Sequence, residues 1–271
     1  MDGSEVIQPV VACLGFPVAG NPTQFLMERA VLQLGLDWRF VTLQVEPDQF
    51  EQAALGVRAL GFAGTFFLPP FLHRAVDFCD ELTLAAQTSR AVRLARRQDA
   101  KWIGNDTMAA AIMALLPENI LKVTSRILCL GNPSICQILR TMEPLLTDRL
   151  DDSFPSDRNP TVLVSPTDAS VPMASPSDTQ EYSAIIVEGS SVLASPKRMA
   201  ALPLSAGARI LLLDDDGTMD RWKEFALQRG MTVIHPIDLS VQHYIESLFF
   251  LTGQRGSPIL IREGLEEYLN W

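Results

Sequence analysis

The chain has 271 residues, with 22 Lys and Arg against 32 Asp and Glu, a formal charge of −10, and 47% hydrophobic residues. That length predicts two domains of ordinary size, and the apolar content excludes a disordered chain. Binding to phosphate backbones is driven by clustered Lys and Arg, so the acidic balance argues against nucleic acid and anionic membranes as partners.

Strand and helix signals alternate almost from end to end. Val10–Phe16 is a short apolar run closed by Pro17 and reads as a buried strand. Asn21-Pro22 predicts a helix start, with Asn21 as N-cap and Pro22 as first helical residue, running to about Gly35. Trp38–Gln44 alternates as a strand. A helix is expected from Glu46-Pro47-Asp48 to Gly61, with Phe50, Ala54 and Val57 on one face, and Thr65–Leu68 is a third strand stopped by Pro69-Pro70. This β-α-β-α-β order implies parallel pairing with helices on the sheet faces.

A helix from about Thr107 to Leu116 follows, then a strand at Arg126–Leu130 and Gly131-Asn132-Pro133-Ser134 leading into a helix to about Leu145. Strand, glycine and helix in succession have the shape of a nucleotide-binding turn. From Asp148 to Gln180 Asp, Ser, Pro and Thr dominate around a strand at Thr161–Ser165, and Pro166, Pro172 and Pro176 exclude a long helix there. Strands are expected at Ala184–Val187, Ile210–Leu213 and Thr232–Ile234, with helices at Met219–Gln228, Leu239–Leu251 and Ile259–Leu269.

The N-terminal Met1-Asp2-Gly3-Ser4-Glu5 is acidic where a secretory leader is basic, and no apolar run approaches the roughly 20 residues of a bilayer span. A cytoplasmic location is expected. Cys13, Cys79, Cys129 and Cys136 form no C-x-x-C pair and read as free thiols, and His73, His235 and His243 lack metal spacing, so no metal is expected.

Gly15-Phe16-Pro17-Val18-Ala19-Gly20-Asn21-Pro22-Thr23 resembles the G-x-P-I-x-H-S-x-S opening of the shikimate dehydrogenase family. Gly61-Phe62-Ala63-Gly64-Thr65-Phe66-Phe67-Leu68-Pro69-Pro70-Phe71-Leu72 is similar to its G-x-x-G-x-N-V-T-x-P-x-K segment, Arg90-Ala91-Val92-Arg93-Leu94 to its G-A-V-N-T strand, and Gly104-Asn105-Asp106-Thr107-Met108 to its G-x-N-T-D. Near the C-terminus, Asp238-Leu239-Ser240-Val241-Gln242 through Thr252-Gly253 is similar to the family's M-L-x-x-Q helix.

The resemblance implies an α/β fold of two lobes: an N-terminal mixed β-α-β substrate lobe (1–105, joined by helices of 238–271) and a Rossmann-like doubly wound lobe (106–237). Asn21 and Thr23 fall in the slots of two substrate-binding serines, Arg93 in that of a substrate-binding asparagine, and Gln242 in that of a substrate-contacting glutamine. Leu72 occupies the slot of the catalytic lysine. Met108 occupies that of the catalytic aspartate, unless Asp106 substitutes through a register shift.

Reducing a ketone with a nicotinamide hydride needs a proton donor to the developing alkoxide, and removing such a donor forfeits about 10²–10⁴ in rate. A leucine cannot donate that proton, and a methionine cannot orient a donor. His73 and Arg74 read as solvent-facing residues at a loop–helix start, with a displaced proton donor as the alternative. Asn21 and Thr23 retain hydrogen-bonding capacity, and Arg93 could anchor an anion in bidentate fashion; the plain alternatives are a helix cap and a solvated basic edge with Arg90, Arg96 and Arg97.

NADP is implied by the resemblance, with Gly131, Asn132, Ser134 and Thr167 as its candidate contacts. The turn nevertheless departs from G-x-G-G: Pro133 removes an N–H and fills space, and no basic residue lies between Arg158 and Lys197 to grip a 2′-phosphate. Asp214-Asp215-Asp216-Gly217-Thr218 matches the D-x-D-G-T of haloacid-dehalogenase-type phosphatases, but too little chain follows for that fold, and a polar turn is the better account. The leading expectation is a diverged shikimate-dehydrogenase-like protein without that activity, binding a small anionic metabolite or a partner. The alternatives are an active NAD(P)-dependent oxidoreductase with altered substrate and a structural subunit with an empty cleft.

Overall fold

The computed structural model describes residues 8–116, 126–130, 161–165, 181–187, 204–213 and 219–269. The chain divides into two compact units, Met1–Ala111 with Val241–Trp271, and Ile112–Ser240.

In the first unit the elements follow as β1 (Val10–Gly15), α1 (Thr23–Gln33), β2 (Arg39–Gln44), α2 (Phe50–Ala59), β3 (Gly64–Phe67), β4 (Glu81–Leu82), α3 (Leu84–Ser89), β5 (Leu94–Gln98), β6 (Lys101–Asn105) and the start of α4 (Thr107–Leu115). The sheet order is β2-β1-β3-β5-β6-β4. β1 pairs in parallel with β2 and β3, as the β-α-β-α-β pattern requires, whereas β5 runs antiparallel to both β3 and β6, so the sheet is mixed.

Several boundaries differ from expectation. Helix α1 begins at Thr23 with Pro22, not Asn21, at the N-cap, and the Pro22 carbonyl accepts from the Leu26 amide at 3.0 Å. A 3-10 turn, Pro47–Gln49, precedes α2 because Pro47 sets the first turn. Arg90–Arg93 is not strand: α3 ends at Arg90, whose φ of 52° is left-handed, and β5 starts only at Leu94.

Alternation puts an aromatic chain under the sheet. Phe50 stacks on Phe71 with ring centroids 4.6 Å apart, Phe67 meets Phe78 edge-on at 5.3 Å, and Phe78 meets Trp102 at 4.9 Å. Phe50, Ala54 and Val57 of α2 bury their common face in this core. Close packing also explains Gly104, where a Cβ would lie 2.6 Å from the Cys79 sulfur and 2.8 Å from Val92 Cγ2. Gly104→Ala is therefore expected to destabilise the protein by about 1–3 kcal/mol, the usual cost of overpacking, read as a lowered urea midpoint at unchanged slope.

The second unit holds β7 (Arg126–Leu130), β8 (Thr161–Ser165), β9 (Tyr182–Val187), β10 (Leu204–Leu212), α5 (Met219–Gln228) and β11 (Thr232–Ile234). Its strands are all parallel in the order β11-β10-β9-β7-β8, so the winding reverses at β7 as in doubly wound folds. Trp222 and Phe225 of α5 pack on Ile185, Ile210 and Leu212. Helices α6 (Pro236–Thr252) and α7 (Pro258–Leu269) end the chain, and from Val241 onward they belong to the first unit. Among the described residues no helix is long and apolar enough to cross a membrane.

Candidate functional site

The first sheet reverses its winding at β1: the chain passes out to β2 and returns on the other side of β1 as β3. Ligands of open α/β sheets bind outside the carboxyl ends of the strands at such a point. The loop after β1 and the loop after β3 meet there, with Phe16 N donating to Pro69 O at 3.2 Å and Leu68 N to Leu14 O at 2.8 Å. Gly15 permits this approach, since a Cβ on it would lie 2.8 Å from that of Leu68. Antiparallel β5 starts at the same sheet edge and β6 ends there. The edge is laced by Phe67 N to Arg93 O at 2.9 Å and Arg93 N to Asn105 O at 3.0 Å. One edge thus gathers Asn21, Leu72, Arg93 and Asp106.

Asp106 caps α4: its Oδ1 accepts from the Met108 amide at 3.2 Å and from Arg93 Nε at 2.9 Å. Its side chain is 1% exposed and that of Arg93 is 30% exposed. The carboxylate at this edge is therefore Asp106, and Met108 contributes its backbone amide to it. Arg93 is tied through Nε, and its two terminal nitrogens make no hydrogen bond among the described residues, which leaves one side of the guanidinium fork for an anion.

Asn21 Oδ1 accepts from the Thr23 amide at 3.1 Å, so the side chain secures the start of α1 from outside the helix. Thr23 is buried, and its hydroxyl meets Tyr244 Oη of α6 at 3.1 Å, while Tyr268 of α7 donates to the Asn21 carbonyl at 3.2 Å. The thiol of Cys13 lies in the same cluster and burial pushes it up to about 12, as burial also pushes the Tyr244 phenol up to about 12. Both stay protonated at neutral pH.

Leu72 packs partly buried against the aromatic core, and its carbonyl accepts from the Val92 amide at 2.8 Å. His73 is exposed, with Nδ1 2.8 Å from the Arg90 carbonyl. Arg74 is more than a solvated loop residue: it lies over the Phe50 ring at 4.9 Å and pairs with Glu51 at 2.5 Å. Both side chains beside Leu72 are thus engaged.

Helix α6 presents a second set of groups. Ser247 bonds Thr107, the residue after Asp106, at 3.1 Å, and His243 lies one turn earlier on the same helix face. His243 Nε2 is shut off from solvent and has no partner among the described residues. Burial, reinforced by the Arg93 charge, lowers this imidazole to about 3 and keeps it neutral at ordinary pH. Gln242 donates through Nε2 to Glu246 at 2.9 Å, and Glu246 in turn pairs with Arg255 at 2.5 Å.

Sequence reasoning named Gln242 but missed His243, Tyr244, Glu246 and Arg255. The i,i+4 spacing of Gln242 and Glu246 was the available signal for one of these contacts. Gly131, Asn132, Ser134 and Thr167 lie outside the described residues, as do Asp214 to Thr218. No cluster with the makings of a metal site occurs among the described residues.

Residues 13–94 match the family model of the shikimate dehydrogenase substrate binding domain. The shikimate dehydrogenase (NADP(+)) of Anaeromyxobacter sp. (strain Fw109-5) is 36% identical over 109 residues, 40% of this chain and 39% of that protein. That of Geobacillus kaustophilus is 32% identical over 127 residues, 46% of each. The chain thus spans less than half the length of the curated relatives it matches. In fold the likeness is wider. Shikimate 5-dehydrogenase from Thermus thermophilus, solved with shikimate, superposes with a TM-score of 0.70 at 16% identity, covering 97% of this chain and all of that one. The 5-ketofructose reductase of Gluconobacter sp. strain CHM43 gives 0.69 at 18% identity, covering 96% and 98%. Residues 13–94 are thus similar to the shikimate dehydrogenase substrate binding domain, and the two-part α/β fold is one that solved shikimate dehydrogenases share.

Proposed function

We propose that this protein is a diverged family member whose first unit binds a small anionic metabolite and which does not carry out the shikimate dehydrogenase reaction. The observation that carries this reading is Leu72. At the slot where the resemblance implies a proton-donating lysine, an aliphatic side chain packs on the aromatic core, and His73 and Arg74 beside it are held by other partners. What remains suits binding: the open side of the Arg93 fork for a carboxylate, with Asn21 and Gln242 as further polar groups able to meet a ligand. Asp106 balances the arginine, so the edge attracts anions through directed hydrogen bonds rather than through net charge. NADP is bound by relatives in this fold, as in the shikimate 5-dehydrogenase from Thermus thermophilus solved with NADP(H) and shikimate. Anion binding at the Arg93 edge does not depend on it.

The test is calorimetric titration with shikimate. The wild type is expected to bind it, and Arg93→Met/Asp106→Asn, which removes both charges together, is expected to weaken binding at least about tenfold. Equal affinity in the two proteins, or no binding by the wild type, would overturn the reading.

A further inference from the structure

Resting on that reading of the first unit, we propose that Glu246, backed by Arg255, is a positioning residue that fixes the side-chain amide of Gln242 and decides which end of it a ligand meets. The three residues form one chain of contacts on the C-terminal helices. Gln242 Nε2 lies 2.9 Å from Glu246 Oε1, and Arg255 Nη1 lies 2.5 Å from the same oxygen. The Glu246 side chain is only 10% exposed, while the Arg255 guanidinium is steadied over the Phe249 ring at 4.6 Å.

The chemistry of the contact fixes its direction. A carboxylate paired with an arginine only accepts hydrogen bonds, so Gln242 must turn its NH2 toward Glu246. Its Oε1 is then turned away, and the face left to a ligand is an acceptor together with the remaining N–H. Gln242 precedes His243, whose helix face meets the start of α4 through Ser247, and Tyr244, which reaches Thr23. The oriented amide is therefore carried on the same helical turn as the contacts that tie α6 to the sheet edge. A ligand hydroxyl can donate to Oε1, whereas a ligand carbonyl can use only the single remaining N–H. The site accordingly favours a hydroxylated anion over its keto counterpart at this position.

Glu246→Gln keeps size and packing but can donate as well as accept, which releases the constraint. The first readout is the ¹H–¹⁵N spectrum of the Gln242 side-chain amide, assigned by its loss in Gln242→Met. In the wild type its two protons are expected to be well separated in shift, one of them slow to exchange with solvent. In Glu246→Gln that separation is expected to collapse while the backbone amides of α6 stay in place. The second readout is shikimate titration, in which Glu246→Gln is expected to weaken binding about 5–10-fold, as the loss of one charge-assisted contact does. An amide signature absent from the wild type, or unchanged by Glu246→Gln, overturns the positioning role. So does unchanged shikimate affinity in a variant whose signature has collapsed. A wild type that shows the signature and does not bind shikimate sinks the binding reading of the preceding subsection, and the proposed ligand preference with it.

Discussion

Arg93→Met is expected to lower the stability of the protein by about 3 kcal/mol, and adding Asp106→Asn is expected to restore most of that loss. The asymmetry follows from burial. Asp106 is 1% exposed and its charge is balanced by Arg93 at 2.9 Å, so removing the guanidinium leaves an uncompensated carboxylate inside the fold. The cost falls at the low end of the range for broken buried pairs because Arg93 is 30% exposed and already partly solvated. An asparagine at position 106 needs no counter-charge, and its side-chain oxygen can still accept from the Met108 amide as Asp106 does at 3.2 Å. Urea unfolding of the wild type, both single variants and the double variant closes the cycle. Additive losses across it would show that the pair does not act as a unit.

Acidification is expected to destabilise the wild type through His243 and to leave His243→Gln comparatively unaffected. The imidazole titrates near 6.5 when unfolded and is lowered to about 3 in the fold, chiefly by burial and secondarily by the Arg93 charge. Between those values the unfolded state binds the extra proton, so stability is fully present above pH 6.5 and is lost as pH falls through that window. Each pH unit inside the window is worth up to about 1.4 kcal/mol, and the part-exposed ring reduces this. By about pH 4.5 the wild type should have lost about 2 kcal/mol more than His243→Gln, measured by urea midpoints across the pH series. Parallel pH profiles for the two proteins would contradict the burial argument.

The legible parts of this fold were those written in turn chemistry and periodicity. Gly15 and the Pro69-Pro70 stop announced two loops that meet at the sheet edge, and the 3.6-residue spacing of Phe50, Ala54 and Val57 marked the buried face of α2. The hairpin of β5 and β6 was hidden because its reversal uses Asp99 in a left-handed conformation in place of a glycine, and because Arg96 and Arg97 mask the strand pattern. At the site, a resemblance could assign slots to single residues, but it could not show that Arg93 and Asp106 join each other. The role of His243 depends on packing between segments more than 100 residues apart in the chain, as the Thr107–Ser247 bond across 140 positions illustrates. Local pattern carries no trace of such contacts.

The most direct test of the account is hydride transfer itself. Purified protein is incubated with shikimate and NADP, and separately NAD, and reduced nicotinamide is followed by absorbance, with a catalytically competent shikimate dehydrogenase as control. The account predicts turnover at least about 10² below the control, as expected for a site with Leu72 where a proton donor is required. Turnover within about tenfold of the control would contradict it.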